Sequence, residues 1–539
     1  MDAPSNRHHD TRRPNHRAPR NYLRGRNRPP PARSRRPLRN RGRAGDRLSA
    51  IYSDAEIAAY EAEMSAEFDR AHAPIGDAGP VIAYPPTPTV WNDAGLRSHQ
   101  RIAKRFATYA EGHALYVDGT GWHYWDGSRW ARDHHGKRTH DLLERLLNIS
   151  WGESMMDKSL QADVKASMSS HGSAGVLDLA SRKLFAAETD VNPWLLNCAN
   201  GTLDLHTLEL RPADPADLIT KQTRAAYEPD AQSDRWDNFL ESSLPDLDVR
   251  GFLQRYAGLG LVGRVLEHVL VVATGTGRNG KSVLAEALAN TFGDYAVHAS
   301  NDLLIASRHG GKSAGELAQM MQLRGARWAV MSELERGAKL AESTMKQLTG
   351  GDTINAKHMG QNPVNFEPSH SFFMLTNDLP EVDPRAQAVW ARMRVVPFEV
   401  SFEGREDTTL SADLEACLEA ILAWAVAGLA QYQRDGRLIA PAKVQASTDG
   451  YRDQNDALTQ FIAEECEIGA GTVAKADLAA AYTRWQLANR KESLTQNMIG
   501  KRLRSLIDER PATFGGITEG RTSQGAEWRG LALTEPESF

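Results

Sequence analysis

Between residues 275 and 282 the chain reads GTGRNGKS, with Gly275, Gly280, Lys281 and Ser282 spaced as G-x-x-x-x-G-K-[ST]. That spacing has a chemistry. Backbone N–H groups of a glycine-rich turn converge on phosphate oxygens, a lysine reaches the β- and γ-phosphates, and a hydroxyl sits on Mg2+. The pattern carries this meaning only where a strand runs in and a helix runs out. Here the β-branched run HVLVVAT (268–274) precedes it, and SVLAEALANTF (282–292) follows with helical apolar spacing. Gly275, Thr276, Gly277, Arg278, Asn279, Gly280, Lys281 and Ser282 are therefore candidates to hold ATP, with Ser282 on its Mg2+.

The residues downstream separate one use of a phosphate loop from another. RWAVMSELE (327–335) is a short apolar strand ending in acid, which delivers Glu333 and Glu335. A carboxylate there polarises the attacking water or holds Mg2+ through water. Glu333 is the candidate for both tasks and Glu335 a second catalytic candidate. A further apolar strand, SFFMLTN (371–377), ends in Asn377, whose amide can orient the lytic water. WARMRVVPF (390–398) offers Arg392 and Arg394. In a ring of subunits, one of these reaches the neighbour's nucleotide as an arginine finger. Between the two strands, TINAKHM and PVNFEP flank Gly360-Gln-Asn362, a hairpin signal that puts Lys357 and His358 near its tip.

These residues need elements to carry them, and the chain is long enough for three or four domains. Residues 1–50 hold 15 Arg, no Lys, three Asp and seven Pro, and carry +12 against a whole-chain net of −5. The remaining residues therefore carry −17. Such a segment cannot bury enough apolar surface to offset its ordering entropy, so it reads as disordered. It is a sequence-blind phosphate-binding arm, a solvated tail, or an over-extended start ahead of Met64. Residues 51–94 read as a short helix and a Pro-rich linker. YVDGTGWHYWDGSRW (116–130) and CANGTLDLHTLEL (198–210) read as antiparallel strands, the second turning at Asn200-Gly201. The aromatics of 116–130 serve as sheet core or as base-stacking platforms. Residues 233–265 are helical. Cys198, Cys417 and Cys466 are far apart with no CxxC spacing, which argues against a disulfide framework or a cysteine zinc site. With no 18-residue apolar run and no signal-like start, the expectation is a chain without a membrane span, in the cytoplasm.

Gly275–Phe398 resembles a superfamily 3 helicase core, specifically the phage and plasmid primase–helicases related to the poxvirus primase–helicase. The resemblance rests on an ordered set: the phosphate loop, SELERGAKLAESTMKQLTGGDTINAKHM (332–359), TNDLP (376–380) and the arginine segment. It extends upstream to NPWLLNCANGTLDL (192–205) and downstream to TDGYRDQNDALTQFIAEEC (448–466). It implies an α/β fold with a parallel-sheet core of the AAA+ type over 266–400. An α+β domain over 95–232, a helical collar over 233–265 and a helical segment over 401–440 surround it. A winged-helix domain over 441–539 completes the chain. It also implies a hexameric ring translocating 3′→5′ on DNA, with Lys357 and His358 gripping the backbone. The partners implied are single-stranded or forked DNA, copies of the same chain, and a separate primase or polymerase. If the chain is viral, the compartment is the host cytoplasm.

One departure from the family stands out. Ser332 occupies the place where many ATPases carry a metal-organising Asp, which leaves the division of labour between Glu333 and Glu335 open. No paired carboxylates of a polymerising site precede residue 95, and Asp246-Leu-Asp248 reads as a helix connection. In the C-terminal part, two predicted helices (475–490 and 493–507) are followed by a strand, a Gly-rich turn with Arg521, and a return strand at 527–533. Lys501, Arg502 and Arg504 on the second helix are DNA-contact candidates, the alternative being a solvated basic face. Two function classes remain: an ATP-driven helicase of a phage or plasmid replisome, or a non-motor replication-initiation protein that uses ATP for assembly. The combination of Lys281, Glu333, Asn377 and Arg392 favours the motor.

Overall fold

The computed structural model describes residues 84–306, 314–332, 337–357, 363–523 and 525–534. The Arg-rich segment 1–50, the predicted helix 51–72, Glu333, Glu335, His358 and the turn at 360–362 lie outside the described residues.

The periodicity of SHQRIAKRFATY puts Ile102, Ala103, Phe106 and Tyr109 on one side of α1 (Ser98–Tyr109), and that side is buried. The aromatic–polar alternation that follows forms β1 (Ala114–Val117), β2 (Gly121–Trp125) and β3 (Trp130–Arg132), an antiparallel meander. Its aromatics serve packing. Trp122 meets Phe106 and Tyr116 edge-on at 6.2 and 5.3 Å, and Trp130 is 3% exposed with its indole N–H donated to the Pro215 carbonyl. Helices α2 (Lys137–Glu153), α3 (Lys158–Ser167) and α4 (Ser170–Ser181) share one apolar core with α1. β4 (Phe185–Ala186) joins β1 in parallel and completes the order β3-β2-β1-β4.

A second meander comprises β5 (Leu195–Cys198), β6 (Gly201–Asp204) and β7 (Glu209–Arg211). Its tight turn is Ala199-Asn200, one residue earlier than the sequence suggests. Gly201 already pairs with Cys198 as the first residue of β6, at φ +145. A Cβ there would meet the Arg211 carbonyl oxygen at 2.4 Å, so the glycine is required by close strand approach. Helices α5 (Asp234–Ser243) and α6 (Leu247–Leu259) follow. Ser233 caps the first, and Asp246 caps the second by accepting from the N–H groups of Asp248 and Val249.

The central sheet is built from uninterrupted apolar runs, as expected where both faces are covered. β8 (Leu270–Thr274) leads into α7 (Lys281–Phe292), then β9 (Ala296–His298) and α8 (Ala314–Met321). β10 (Trp328–Ser332) and α9 (Glu342–Leu348) come next. β11 (Ile354–Ala356) and β12 (Val364–Phe366) form the predicted hairpin. β13 (Ser371–Thr376), α10 (Gln387–Trp390) and β14 (Met393–Pro397) complete the layer. The order is β14-β8-β13-β10-β9, all parallel. Strand alternation splits the core in two. Val271, Ala273, Val330, Phe373 and Val396 face a cluster that includes α6 and α7, whereas Leu270, Val272, Met331, Met374 and Val395 face the cluster containing α9 and the hairpin.

α11 (Leu410–Glu415) and α12 (Leu418–Asp435) return across the first face, α12 burying Ile421, Leu422, Val426 and Leu429. α13 (Ala442–Asn455), which the sequence groups with the C-terminal part, packs on β14 instead, and its Tyr451 lies in the core of the parallel sheet. Beyond it, α14 (Ala457–Glu465), β15 (Cys466–Ala474), α15 (Lys475–Asn489), α16 (Gln496–Glu509), β16 (Thr518–Thr522) and β17 (Gly525–Leu533) enclose a separate core around Phe461, Tyr482, Leu503 and Trp528. The order β15-β17-β16 includes a strand the sequence reading missed. Arg521 lies within β16 rather than in the turn, which begins at Ser523. Among the described residues no helix is long and apolar enough to cross a membrane.

Candidate active site

In a parallel sheet the carboxyl ends of all strands face one way, so the loops leaving them share a crevice. Thr274 pairs with Thr376, and Ser332 with Leu375, so three strand ends stand side by side. Residues 277–283, Ser332, Leu375, Thr376 and Asn377 line a cleft of about 280 Å³ there. The Lys281 ammonium donates to the Gly275 carbonyl at 3.0 Å, to Asn279 Oδ1 at 3.1 Å and to Asn377 Oδ1 at 3.0 Å. Ser282 is exposed on the first turn of α7, and Ser332 is exposed at the end of β10, directly before Glu333.

The loop's shape follows from its residues. Gly280 has φ +86, and a Cβ there would sit 2.6 Å from Ser243 Oγ. Asn279 is 3% exposed and ties the loop to the Phe398 carbonyl at 3.1 Å. Arg278 also occupies the left-handed region, at φ +48. Its guanidinium pairs with Glu406 at 2.9 Å and Glu403 at 3.4 Å, and its carbonyl accepts from Phe402 N–H at 2.8 Å. Glu403 and Glu406 carry no motif, and only the folded loop after β14 reveals their contact with the glycine-rich loop.

Arg392 is at the other end of the sheet. Its carbonyl accepts from Leu270 N–H, at the start of β8, and its guanidinium donates to the Ala388 carbonyl at 2.9 Å. Four residues of strand at about 3.3 Å each separate that level from Thr274. Arg394 is half-buried. It donates to the Ala391 and Met393 carbonyls, and burial lowers its pKa, partly offset by the Glu267 carboxylate.

Residues 103–245 match a family model described as D5 N terminal like, and residues 273–392 match one described as a family of unknown function, DUF5906. "Putative helicase L207/L206" of Acanthamoeba polyphaga mimivirus is 29% identical over 309 residues, covering 53% of this chain and 32% of that one. "Putative helicase 022R" of Frog virus 3 is 30% identical over 271 residues, covering 47% and 28%. "Putative primase C962R" of African swine fever virus (strain Badajoz 1971 Vero-adapted) is 24% identical over 344 residues, covering 58% and 35%. Over these stretches the chain is similar to D5-like viral primase–helicases. It spans about a third of the length of these relatives. Among solved structures, the apo C-terminal region of NrS-1 aligns over 56% of this chain and 77% of that one, at 12% identity and a TM-score of 0.35.

In this D5-like chain, the fold brings together Lys281, Ser282, Asn377 and the strand end that leads to Glu333. It keeps Arg392 apart from them. Lys357 follows β11 directly, at the base of the hairpin turn. Of the three candidates on α16, Arg502 is corrected. It is 9% exposed, and its Nε and Nη2 donate to Asp456 Oδ2 at 2.9 and 2.7 Å. A buried guanidinium already matched by a carboxylate holds α16 to α14 and cannot reach a DNA backbone. Arg504 pairs with Glu519 at 2.7 Å, whereas Lys501 is exposed beside a crevice of about 380 Å³.

The segment between Asn377 and Arg392 is held by residues of α13, within the stretch 448–466 that carries the resemblance but to which no role was assigned. Tyr451 donates to the Pro380 carbonyl, Asn455 Oδ1 accepts from Val382 N–H at 3.0 Å, and Arg452 donates to the Pro384 carbonyl at 3.0 Å. All three lie on the last turns of α13. Trp390 packs edge-on against Tyr451 at 5.1 Å and donates to the Asp383 carbonyl. The three hydrogen bonds from α13 join residues about 70 positions apart, beyond the reach of local pattern.

Proposed function

We propose that this chain is an ATP-dependent DNA helicase of superfamily 3, acting in phage or plasmid DNA replication as a hexameric ring with 3′→5′ polarity. The observation that carries the reading is the Lys281–Asn377 contact at 3.0 Å, which joins the phosphate loop to the end of β13 inside the strand-end cleft. ATP binds there with its phosphates on the amides of 275–282 and its Mg2+ on Ser282 and, through water, Glu333. Glu333 or Glu335 polarises the lytic water, which Asn377 orients. Lys281 holds the β- and γ-phosphates as a point charge. Arg392 lies too far along the sheet to meet its own subunit's nucleotide, which supports a role across a subunit interface. Arg394, half-buried and donating to two carbonyls of its own subunit, is the weaker candidate.

The α5–α6 pair reads as a collar, the parallel sheet as an AAA+-type motor, and 456–534 as a winged helix. The β11–β12 hairpin lies in sequence between the Ser332 and Asn377 strand ends, so hydrolysis at either end can tilt it. Lys357 and His358 then grip the DNA backbone without reading sequence. A strand-displacement assay on a forked duplex tests the reading. ATP should drive unwinding, Glu333→Gln should bind ATP without turnover, and Lys357→Ala with His358→Ala should keep basal hydrolysis while losing unwinding and DNA stimulation. ATP hydrolysis with no displacement from either fork arm would reject the motor.

A further inference from the structure

Arg392 follows α10 by two residues, and α10 is a single turn too short to hold its own orientation. Something else must fix it. Gln387, its first residue, donates to Glu509 Oε1 at 3.1 Å. Glu509 ends α16 and is a hub. Its carboxylate also accepts from Arg452 Nη2 at 2.6 Å and from Ser505, and Arg502 lies 3.7 Å away. Burial would raise its pKa, but these partners outweigh that and hold it below the usual carboxylate range. Arg452 closes the circuit by donating to the Pro384 carbonyl, and Arg510 pairs with Asp453. Both sides of the Arg452–Glu509 pair are only 16% exposed, so the contact is shielded from water and salt.

We infer that Glu509 is a positioning residue for Arg392: the C-terminal region, through Glu509, Arg452 and Gln387, braces the turn from which the arginine is presented to a neighbouring subunit. The inference rests on the helicase reading above. It assigns to α16 the task of setting the arginine's geometry, in place of the DNA contact expected of Arg502. The chain from Asn377 to Arg392 thereby has a fixed middle. A shift of Asn377 on nucleotide turnover is passed to the arginine end rather than absorbed in the loop.

The test uses the full chain and the ATPase steady state. Glu509→Gln keeps the shape and removes the charge. It should lower kcat by about ten- to a hundredfold, the scale of an ångström-level misplacement, and leave the KM for ATP unchanged because the phosphate loop is untouched. Gln387→Ala, at an exposed position, removes only the bond to α10 and should lower kcat several-fold with no change in melting temperature. Glu509→Asp should recover part of the loss. The decisive arm is mixing. A Glu509→Gln subunit has a sound nucleotide site and a misplaced arginine, whereas a Lys281→Ala subunit has the reverse. Mixed rings should therefore recover activity that neither variant shows alone, as mixtures of Arg392→Ala with Lys281→Ala should. A wild-type kcat in Glu509→Gln, or a loss that mixing does not repair while Arg392→Ala is repaired, overturns the positioning role and leaves the helicase reading standing. Full hydrolysis by Arg392→Ala also overturns the positioning role, since it moves the finger to Arg394, whereas the helicase reading falls only if the forked duplex is not displaced.

Discussion

Lys281 and Arg502 are both cations on helices, and both are nearly covered, at 5% and 9% exposure. Their surroundings differ. The Lys281 ammonium sits among oxygens of Gly275, Asn279 and Asn377, where three backbone segments open into a cleft. Arg502 is clasped by Asp456, with Glu509 behind it, at the seam between α16 and α14. A buried cation beside a cleft is presented to a ligand, whereas one matched by carboxylates is part of the fold. What a basic residue does is set by what faces it, and of these partners only Gly275 and Asn279 lie close in sequence to the cation they face.

The comparison can be broken most sharply at Lys281. Lys281→Ala should lower ATP hydrolysis by at least ~10²-fold, the usual cost of removing one preorganised charge-stabilising donor, with an unchanged melting temperature. Near wild-type turnover would mean that the cleft does not hold the phosphates. Arg502→Ala should do the opposite. It leaves Asp456 buried and unmatched, a change worth about 3–5 kcal/mol, so urea should unfold the C-terminal region early. The salt dependence of DNA binding should stay as it was. A stable Arg502→Ala protein with weakened DNA affinity would restore the original reading of α16.

A third buried cation-former sharpens the contrast by remaining neutral. His370, 2% exposed at the entry to β13, has only the Leu348 backbone to favour its charged form, and burial outweighs it. Burial pushes its pKa down to about 4. The unfolded imidazole takes up a proton near its ordinary value of about 6.5, and the folded one does not until much lower. Its contribution to stability is therefore complete above about 6.5 and lost as pH falls through about 4, at most about 3 kcal/mol. His370→Leu should flatten that part of a pH–stability curve measured by thermal melting. An equally steep acid slope in the variant would place the titration elsewhere.

The smallest effects belong to the exposed cations of α16. Lys501→Ala and Arg504→Ala should each change the log–log salt slope of single-strand binding by less than about 0.7, the value of one phosphate contact. A full unit from either would show that this helix meets DNA after all. Arg504 has a carboxylate partner, Glu519, that it would have to leave.

How much of this was legible depends on the distance over which each feature is encoded. The strand, loop and helix from 270 to 292 could be read directly, because apolar runs, left-handed glycine and lysine follow one another within the loop's own span. The β11–β12 hairpin was equally local, since the turn brings its two strands together. The turn at Ala199-Asn200 slipped by one residue because Gly201 serves strand approach rather than the bend. α13 was assigned to the wrong neighbour because its partner, β14, lies some 50 residues earlier and its own spacing shows only that it is amphipathic.

Contiguous residues encode the glycine-rich loop between a strand and a helix, the order of candidate residues after it, the parallel apolar strands and the family resemblance. Each is written in contiguous residues whose local backbone geometry is dictated by their own side chains. The tertiary structure alone decided that Lys281 meets Asn377, that Arg392 stands at the far end of the sheet, and that Glu509 grips the turn before it. It also decided that Arg502 faces inward. Those outcomes depend on which charges long-range packing forces together out of water. A buried charge must find its partner wherever the chain delivers one, and no spacing rule along the sequence names that partner in advance.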